Sequence, residues 1–260
     1  VNGAMRDAPV LVEACVDSVA SSRIAERAGA RRLELCAALH DGGTTPSAGT
    51  IAAVKAAVSI PVVVLVRPRG GSFTYDASEL DVLRRDVAHA RALGADGIST
   101  GVLRPDGTID ETAMATLVAD AAPLPVTCHR AFDAAPDPHA ALAACVRAGV
   151  ARVLTAGGPG SARAGAAVLA SLVRAAAGRI AIVAGGGVRA DHAAQLVRDT
   201  GVRELHLWGA RIVLPVQDSS RPLPLRTALP ADAHAWAESD GGGLAAVVAA
   251  VQDLPSSVPA

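Results

Sequence analysis

Three observations predict an α/β protein built as a single (β/α)8 TIM barrel. Eight short runs rich in branched residues recur along the 260-residue chain, and each is followed by turn residues and an Ala-rich stretch of helical length. Several of those stretches then close on a small Gly turn that leads directly into the next run. In order, the runs are VLVEACV ending near Val16, RRLELC ending at Cys36, PVVVLVRP near Pro68, DGISTG at Gly101, PVTCHR at Arg130, ARVLTAGG near Gly158, RIAIVAGGG near Gly187 and RELHLWG near Gly209. Helix starts are marked by Asp17-Ser18 before the first helix, Pro46-Ser47 in the second and Asp110 before the fourth. The closing turns are AGARRLEL, LGADGIST, AGVARVL and TGVRELHL. Eight such units over this length fit a closed barrel, whose parallel strands are buried on both faces, better than an open sheet.

The barrel core is expected over about residues 10–210 of a single domain spanning 1–260. Residues of about 211–240, RIVLPVQDSSRPLPLRTALPADAHAWAESD, break the rhythm with prolines and polar side chains and read as an inserted loop. GGGLAAVVAAVQDL, about 241–254, supplies the last helix. The composition narrows the partners. A formal net charge of -1 and an aromatic content of 2% leave neither the basic footprint nor the stacking platforms that nucleic acid binding needs. No stretch is long and apolar enough to span a bilayer, and the first residues, VNGAMRDAP, carry no apolar signal core, so a cytoplasmic setting is expected. In that reducing compartment Cys15, Cys36, Cys128 and Cys145 need another explanation than a disulfide framework.

Side chains alternate along a strand, so Glu13 shares a face with Cys15, and Glu34 with Cys36. Extending the polar phase to the other runs adds Arg67, Thr127, His129, Thr155, Glu204 and His206. The opposite phase collects Leu33, Leu35, Leu154, Leu205 and Leu207, which suit packing against helices. In a barrel the polar set fills the interior, and its members near the strand C-termini open onto the mouth where such proteins bind ligands. Arg67, His129 and His206 are then available as partners for buried carboxylates, whose unpaired burial would cost several kcal/mol. Cys15 and Cys36, at the ends of neighbouring strands about 4.8 Å apart, come close enough to share a soft monovalent ion such as Cu(I). Cys128 and Cys145 fall on apolar phases and read as small core residues.

Two glycine-rich turns, TAGGPGSA and VAGGGVRADH, each precede a helix and could cradle an anion on backbone amides. Barrel phosphate sites favour the later loops, so Gly185, Gly186 and Gly187 are the better candidates. Thr155 and His206 are placed with them as anion-binding candidates, together with Arg67 and Arg69 of VRPRGGSF and Arg130 of CHRAFD.

Taken together, these segments resemble the CutC family from about Val12 to His206. The words that carry the likeness are CVDSV at Cys15 to Val19, LELC at Leu33 to Cys36, GGTTPS at Gly42 to Ser47, VRPRGG at Val66 to Gly71, HRAFD at His129 to Asp133, VLT at Val153 with its glycine turn, and GGGV at Gly185 to Val188. The resemblance implies a TIM barrel, a cytoplasmic homo-oligomer, a role in copper homeostasis, and Cys15 and Cys36 as Cu(I) ligands. Two readings of the same cavity follow. In one, the barrel-mouth cysteines hold copper. In the other, the protein is an enzyme acting on a small phosphate- or carboxylate-bearing metabolite, with Glu34, His129 or Glu204 transferring a proton. A non-catalytic scaffold barrel is the third.

Overall fold

A computed structural model of the chain describes residues 9–213 and 236–254. Eight parallel strands close into a barrel in sequential order, each bonded to the next and the eighth to the first. They are β1 (Leu11–Val16), β2 (Arg32–Leu35), β3 (Val62–Leu65), β4 (Gly97–Thr100), β5 (Val126–Cys128), β6 (Arg152–Thr155), β7 (Ala181–Gly185) and β8 (Glu204–Leu207). Between them run α1 (Val19–Arg27), α2 (Ala48–Ala57), α3 (Ala77–Ala92), α4 (Glu111–Ala121), α5 (Pro138–Arg147), α6 (Ala166–Ala176) and α7 (Ala190–Thr200). All eight expected strand runs are strands of this barrel.

The helix starts follow from side-chain oxygens that satisfy the free amides of the first turn. Ser18, Ser47 and Asp110 cap α1, α2 and α4, each accepting from an amide three residues on. Asp76 caps α3 in a reciprocal box with Glu79. Asp137 caps α5, with Pro138 in the first turn, where a missing amide costs nothing. The closing turns need positive φ: Gly29, Gly94, Gly149 and Gly201 all adopt it, at 75° to 95°.

One phase of the strands packs against the helices. Val12, Leu33, Leu35, Ile98, Val153 and Leu205 are buried there with Leu83, Leu117, Leu169 and Leu172 of the helical ring. Burying each such side chain stabilises the fold by about 1.5–3 kcal/mol. Cys128 and Cys145 are buried in this layer, as their apolar phases predict.

The proline-rich stretch is not irregular from its first residue. Its two ends form an antiparallel ladder, β9 (Ala210–Val213) with β10 (Trp236–Ser239), in which Ser239 pairs with Ala210. The Ser239 amide donates to Ser21 Oγ of α1 at 3.1 Å, anchoring the ladder to the barrel wall. The two strands lie 22 residues apart in sequence, which is why spacing alone does not reveal their pairing. The rest of the predicted insertion, 214–235, lies outside the described residues. The last helix, α8 (Gly241–Val251), starts on an Asp240 cap and packs Leu244, Val247 and Val251 into the core.

The tightest backbone approach lies at the start of α6. A Cβ on Gly165 would sit 1.9 Å from the Ala156 carbonyl oxygen, backbone against backbone, with no flexible side chain to give way. Gly165→Ala is therefore expected to destabilise the protein by at least about 1–3 kcal/mol in urea unfolding. Gly160→Ala, whose new methyl would first meet another methyl at 3.9 Å, is expected to stay within about 0.5 kcal/mol of wild type.

Candidate functional site at the barrel mouth

The inward phase of β1, β2 and β8 builds a chain of polar groups along the barrel axis, and the strand register sets its order. Glu13 lies beside Arg32 on one neighbouring strand and His206 on the other, and Cys15 lies beside Glu34. Deep in the barrel, Arg32 donates from Nε to Glu13 Oε2 and from Nη2 to Glu204 Oε2, the latter at 2.5 Å. Glu13 Oε1 takes a bond from His206 Nδ1 at 2.7 Å. Above it, His206 Nε2 stands 3.8 Å from Glu34 Oε2. At the mouth, Cys15 Sγ is 3.6 Å from Cys36 Sγ, which is in turn 3.6 Å from Glu34 Oε2. One ligand atom from each of Cys15, Glu34 and Cys36 falls within a sphere of contacts of 4.8 Å.

Charges in this chain are set by their neighbours. Burial pushes the Glu13 carboxyl up, but the hydrogen bond from His206 and the charge of Arg32 outweigh it and hold its pKa at about 2. Burial alone would make His206 neutral; the Cys15 sulfur, Glu13 and Glu34 overcome that and raise the ring well above the ordinary histidine range. The two thiols divide unequally. The bond from Cys36 lowers Cys15 against the effect of burial, with His206 helping, whereas Cys36 is pushed well up by giving that bond, by burial and by Glu34. The two sulfurs are thus made unequal: Cys15, beside His206, gives up its proton the more readily of the pair, and Cys36 holds its proton the more firmly.

A second wall is formed after β3 and β5. Arg67 Nη1 donates to the carbonyls of Asp41 and Gly43 at 3.1 and 2.8 Å, and Nη2 donates to that of Gly71 at 2.9 Å. Its Nε has no partner among the described residues. The guanidinium lies 4.9 Å over the Phe73 ring, and that ring is 5.0 Å from the His129 ring. His129 Nδ1 accepts from the Ala131 amide at 3.1 Å. Burial, then the Arg67 charge, drives the His129 pKa down to about 3, so the ring is neutral and carries its proton on Nε2, which is buried and unpartnered. This ring fits only because β4 is followed by Gly101: a Cβ there would come within 2.7 Å of Nδ1.

Cys15, Glu34, Cys36 and His206 line one cavity of about 180 Å³, and Arg67, His129 and Arg130 close its other side. The remaining predicted residues lie elsewhere. Glu204 is the first residue of β8, at the closed end of the barrel, with its carboxylate on Arg32. Arg69 points outward to Glu79 and the loop carbonyls of Ser72 and Thr74. Gly185, Gly186 and Gly187 are not among the residues lining this cavity; Gly185 makes room for Leu154 and His206, and a Cβ on Gly186 would come within 3.5 Å of the Arg130 guanidinium. The phase expected for β6 is reversed. Leu154 lines the cavity and Arg152 reaches inward to Thr127 Oγ1 at 3.2 Å, while Thr155 shares the phase of the helix-facing Val153. Thr155 ends the strand, and its hydroxyl bonds to Asp133, which also accepts from the Ala156 and Gly158 amides. A polar residue at a strand end is satisfied by the loop, and so does not report the inward face.

Sequence reasoning missed Arg32, although it has the same parity as Glu34, and Phe73, which lies in a loop without periodicity.

The class these features define is a TIM-barrel protein whose mouth brings two thiols, a histidine and a glutamate together. Within that class, the chain belongs to the CutC family, whose model matches residues 10–210. The human copper homeostasis protein cutC homolog is 46% identical over 196 residues, 75% of this chain and 72% of that protein. A CutC family protein of Mesorhizobium japonicum is 47% identical over 196 residues, 75% of this chain and 76% of that one. Among solved structures, the copper homeostasis protein CutC of Streptococcus agalactiae superposes with a TM-score of 0.72 at 33% identity, covering 76% of this chain and 97% of that one. A phosphoribosylanthranilate isomerase from Pyrococcus furiosus, at a TM-score of 0.57, 12% identity, and coverage of 94% of this chain and all of that one, shares the barrel alone.

The depressed Glu13 carboxyl ties stability to acid pH. A folded pKa below the unfolded value stabilises above about pH 4.5, and that stabilisation disappears as pH falls through about 2. Urea unfolding between those limits should lose roughly 3 kcal/mol from this group. Glu13→Gln should remove that part of the slope, and an unchanged slope would refute the assignment.

Proposed function

We propose that this protein serves copper homeostasis by binding Cu(I) as cargo through Cys15 and Cys36 at the barrel mouth. The observation that carries the reading is the pair of sulfurs 3.6 Å apart, with the Glu34 carboxyl group beside them. Thiolate ligands select soft Cu(I), whereas a structural zinc site wants four nitrogen or sulfur ligands, and hard cations want oxygen. An ion entering between the sulfurs displaces the Cys36 proton, and Glu34, within 3.6 Å of that sulfur, is placed to take it. The bond from Cys36, helped by His206, lowers the cost of ionising the Cys15 sulfur when the ion arrives. Family membership and the names of the human and Streptococcus agalactiae relatives support the copper role. A reducing compartment such as the cytoplasm keeps both thiols free to bind. No described helix is long and apolar enough to cross a membrane. Exposed Trp208 and Ile212 offer apolar surface for self-association into a homo-oligomer.

An enzymatic reading has one observation of its own. Cys15, His206 and Glu13 stand in series as thiol, imidazole and carboxylate, the arrangement that turns a thiol into a nucleophile. In that reading Glu34 or His129 serves a substrate in the cavity, and Glu204 takes no part because Arg32 holds it at the closed end.

Anaerobic titration against a chromophoric Cu(I) chelator tests the copper reading. Wild type should take up one Cu(I) per chain, and the Cys15→Ser/Cys36→Ser double variant none. His206→Gln should weaken uptake by about 10–100-fold, the usual cost of losing a group that orients a ligand. Equal uptake by the double variant and wild type would remove the two cysteines from the reading.

A further inference from the structure

The geometry points to a second binding site in the same mouth: Arg67 and His129 hold the carboxylate of a short organic acid. This goes beyond the copper reading, because neither cysteine contributes to it.

Two buried donors at this wall are unspent. Arg67 Nε and His129 Nε2 are both shielded from solvent and have no hydrogen-bond partner among the described residues. Both side chains are more than nine-tenths buried, at 4% and 6% exposure. Leaving a buried donor unsatisfied costs about 1–3 kcal/mol, and more for a charged group. The orientations are enforced. The Nδ1 edge of His129 is occupied by the Ala131 amide and abuts Gly101, so the edge bearing Nε2 is turned away from the strand end. Three carbonyls hold the terminal nitrogens of Arg67. Carbonyls fix a guanidinium in place without neutralising it, and no acidic side chain pairs with Arg67 among the described residues, unlike Arg69 and Arg130, which pair with Glu79 and Asp133. The barrel thus holds a buried cation at its mouth without a counter-charge, next to a neutral donor.

The ligand class follows from what these groups offer. One positive charge and two N–H donors match a monoanion with two acceptor oxygens, which is a carboxylate. A phosphate dianion would bring a second negative charge into a cavity that Glu34 also lines, and more oxygens than the wall has donors. The cavity of about 180 Å³ equals the liquid volume of about six waters, which limits the ligand to a short acid. Phe73, against both Arg67 and His129, and Leu65 supply apolar surface for its carbon skeleton.

The test is calorimetric titration of the full chain with acetate, lactate and malonate, and with inorganic phosphate for comparison, at constant ionic strength. Two variants remove the two unpaired donors. His129→Asn retains an oxygen for the Ala131 amide but has no group at the Nε2 position, and Arg67→Lys retains the charge but not the Nε donor. Far-UV circular dichroism and the thermal midpoint establish that each is folded. The expected result is saturable binding of at least one monocarboxylate, tighter than phosphate, weakened at least tenfold by each variant and unchanged in Cys15→Ser/Cys36→Ser. No saturable carboxylate binding to wild type, equal binding by wild type and both variants, or tighter binding of phosphate would each overturn the proposal. The double cysteine variant separates the two sites, because it should lose copper and keep the acid: a wild type that binds the acid but not copper refutes only the copper reading, and one that binds copper but no acid refutes only this site.

Discussion

Arg32, buried across the barrel axis, is the constraint on which the site depends. A guanidinium taken out of water is tolerated only if carboxylates compensate it, and Arg32 has two, Glu13 and Glu204. With one oxygen of Glu13 committed to Arg32, the other faces His206 and accepts from its Nδ1. That bond fixes which imidazole nitrogen faces the mouth and raises the ring's basicity, and the ring adds to the Cys36 bond in lowering Cys15. The ion pair of Glu13 with Arg32 below thus bears on the chemistry of the sulfurs through His206. Substituting any link leaves a buried charge uncompensated, so stability and sulfur chemistry are coupled at this point.

The opposite wall obeys a different rule. Arg67 is held by carbonyl dipoles, which position it and leave its charge available. The same positive charge helps to keep His129 neutral, so that the ring presents a donor and not a second cation. The two histidines of the mouth thus have opposite characters for one electrostatic reason: His206 faces carboxylates and a sulfur, and His129 faces a guanidinium. The cavity therefore has an acidic side and a basic side.

The glycine-rich turns and the helix starts behind them are sites of close backbone packing. Gly185 leaves space for Leu154 and for His206, and Gly165 lets the start of α6 cross the loop after β6 at backbone contact. Their lack of a side chain is what the fold uses, since neither the turn after β6 nor that after β7 lines the mouth cavity.

The barrel, its eight strands and the inward phase of β1, β2, β5 and β8 were legible in the sequence. Alternation along a strand is local, and the polar residues at Glu13, Cys15, Glu34, Cys36, His129 and His206 declare it against an apolar background. Arg32 could have been read in the same way from its parity with Glu34. Three-dimensional closure decided the rest. Which strand lies beside which, and with what stagger, determines that Arg32 reaches Glu13 and Glu204, that Glu204 sits at the closed end, and that Leu154 rather than Thr155 faces the cavity. Arg69 and Phe73 lie in a loop with no period, so only the fold shows that the first turns out to Glu79 and the second turns in against Arg67. Side-chain phase is carried by the covalent geometry of the chain, whereas depth along the axis and choice of partner depend on the register between segments far apart in sequence.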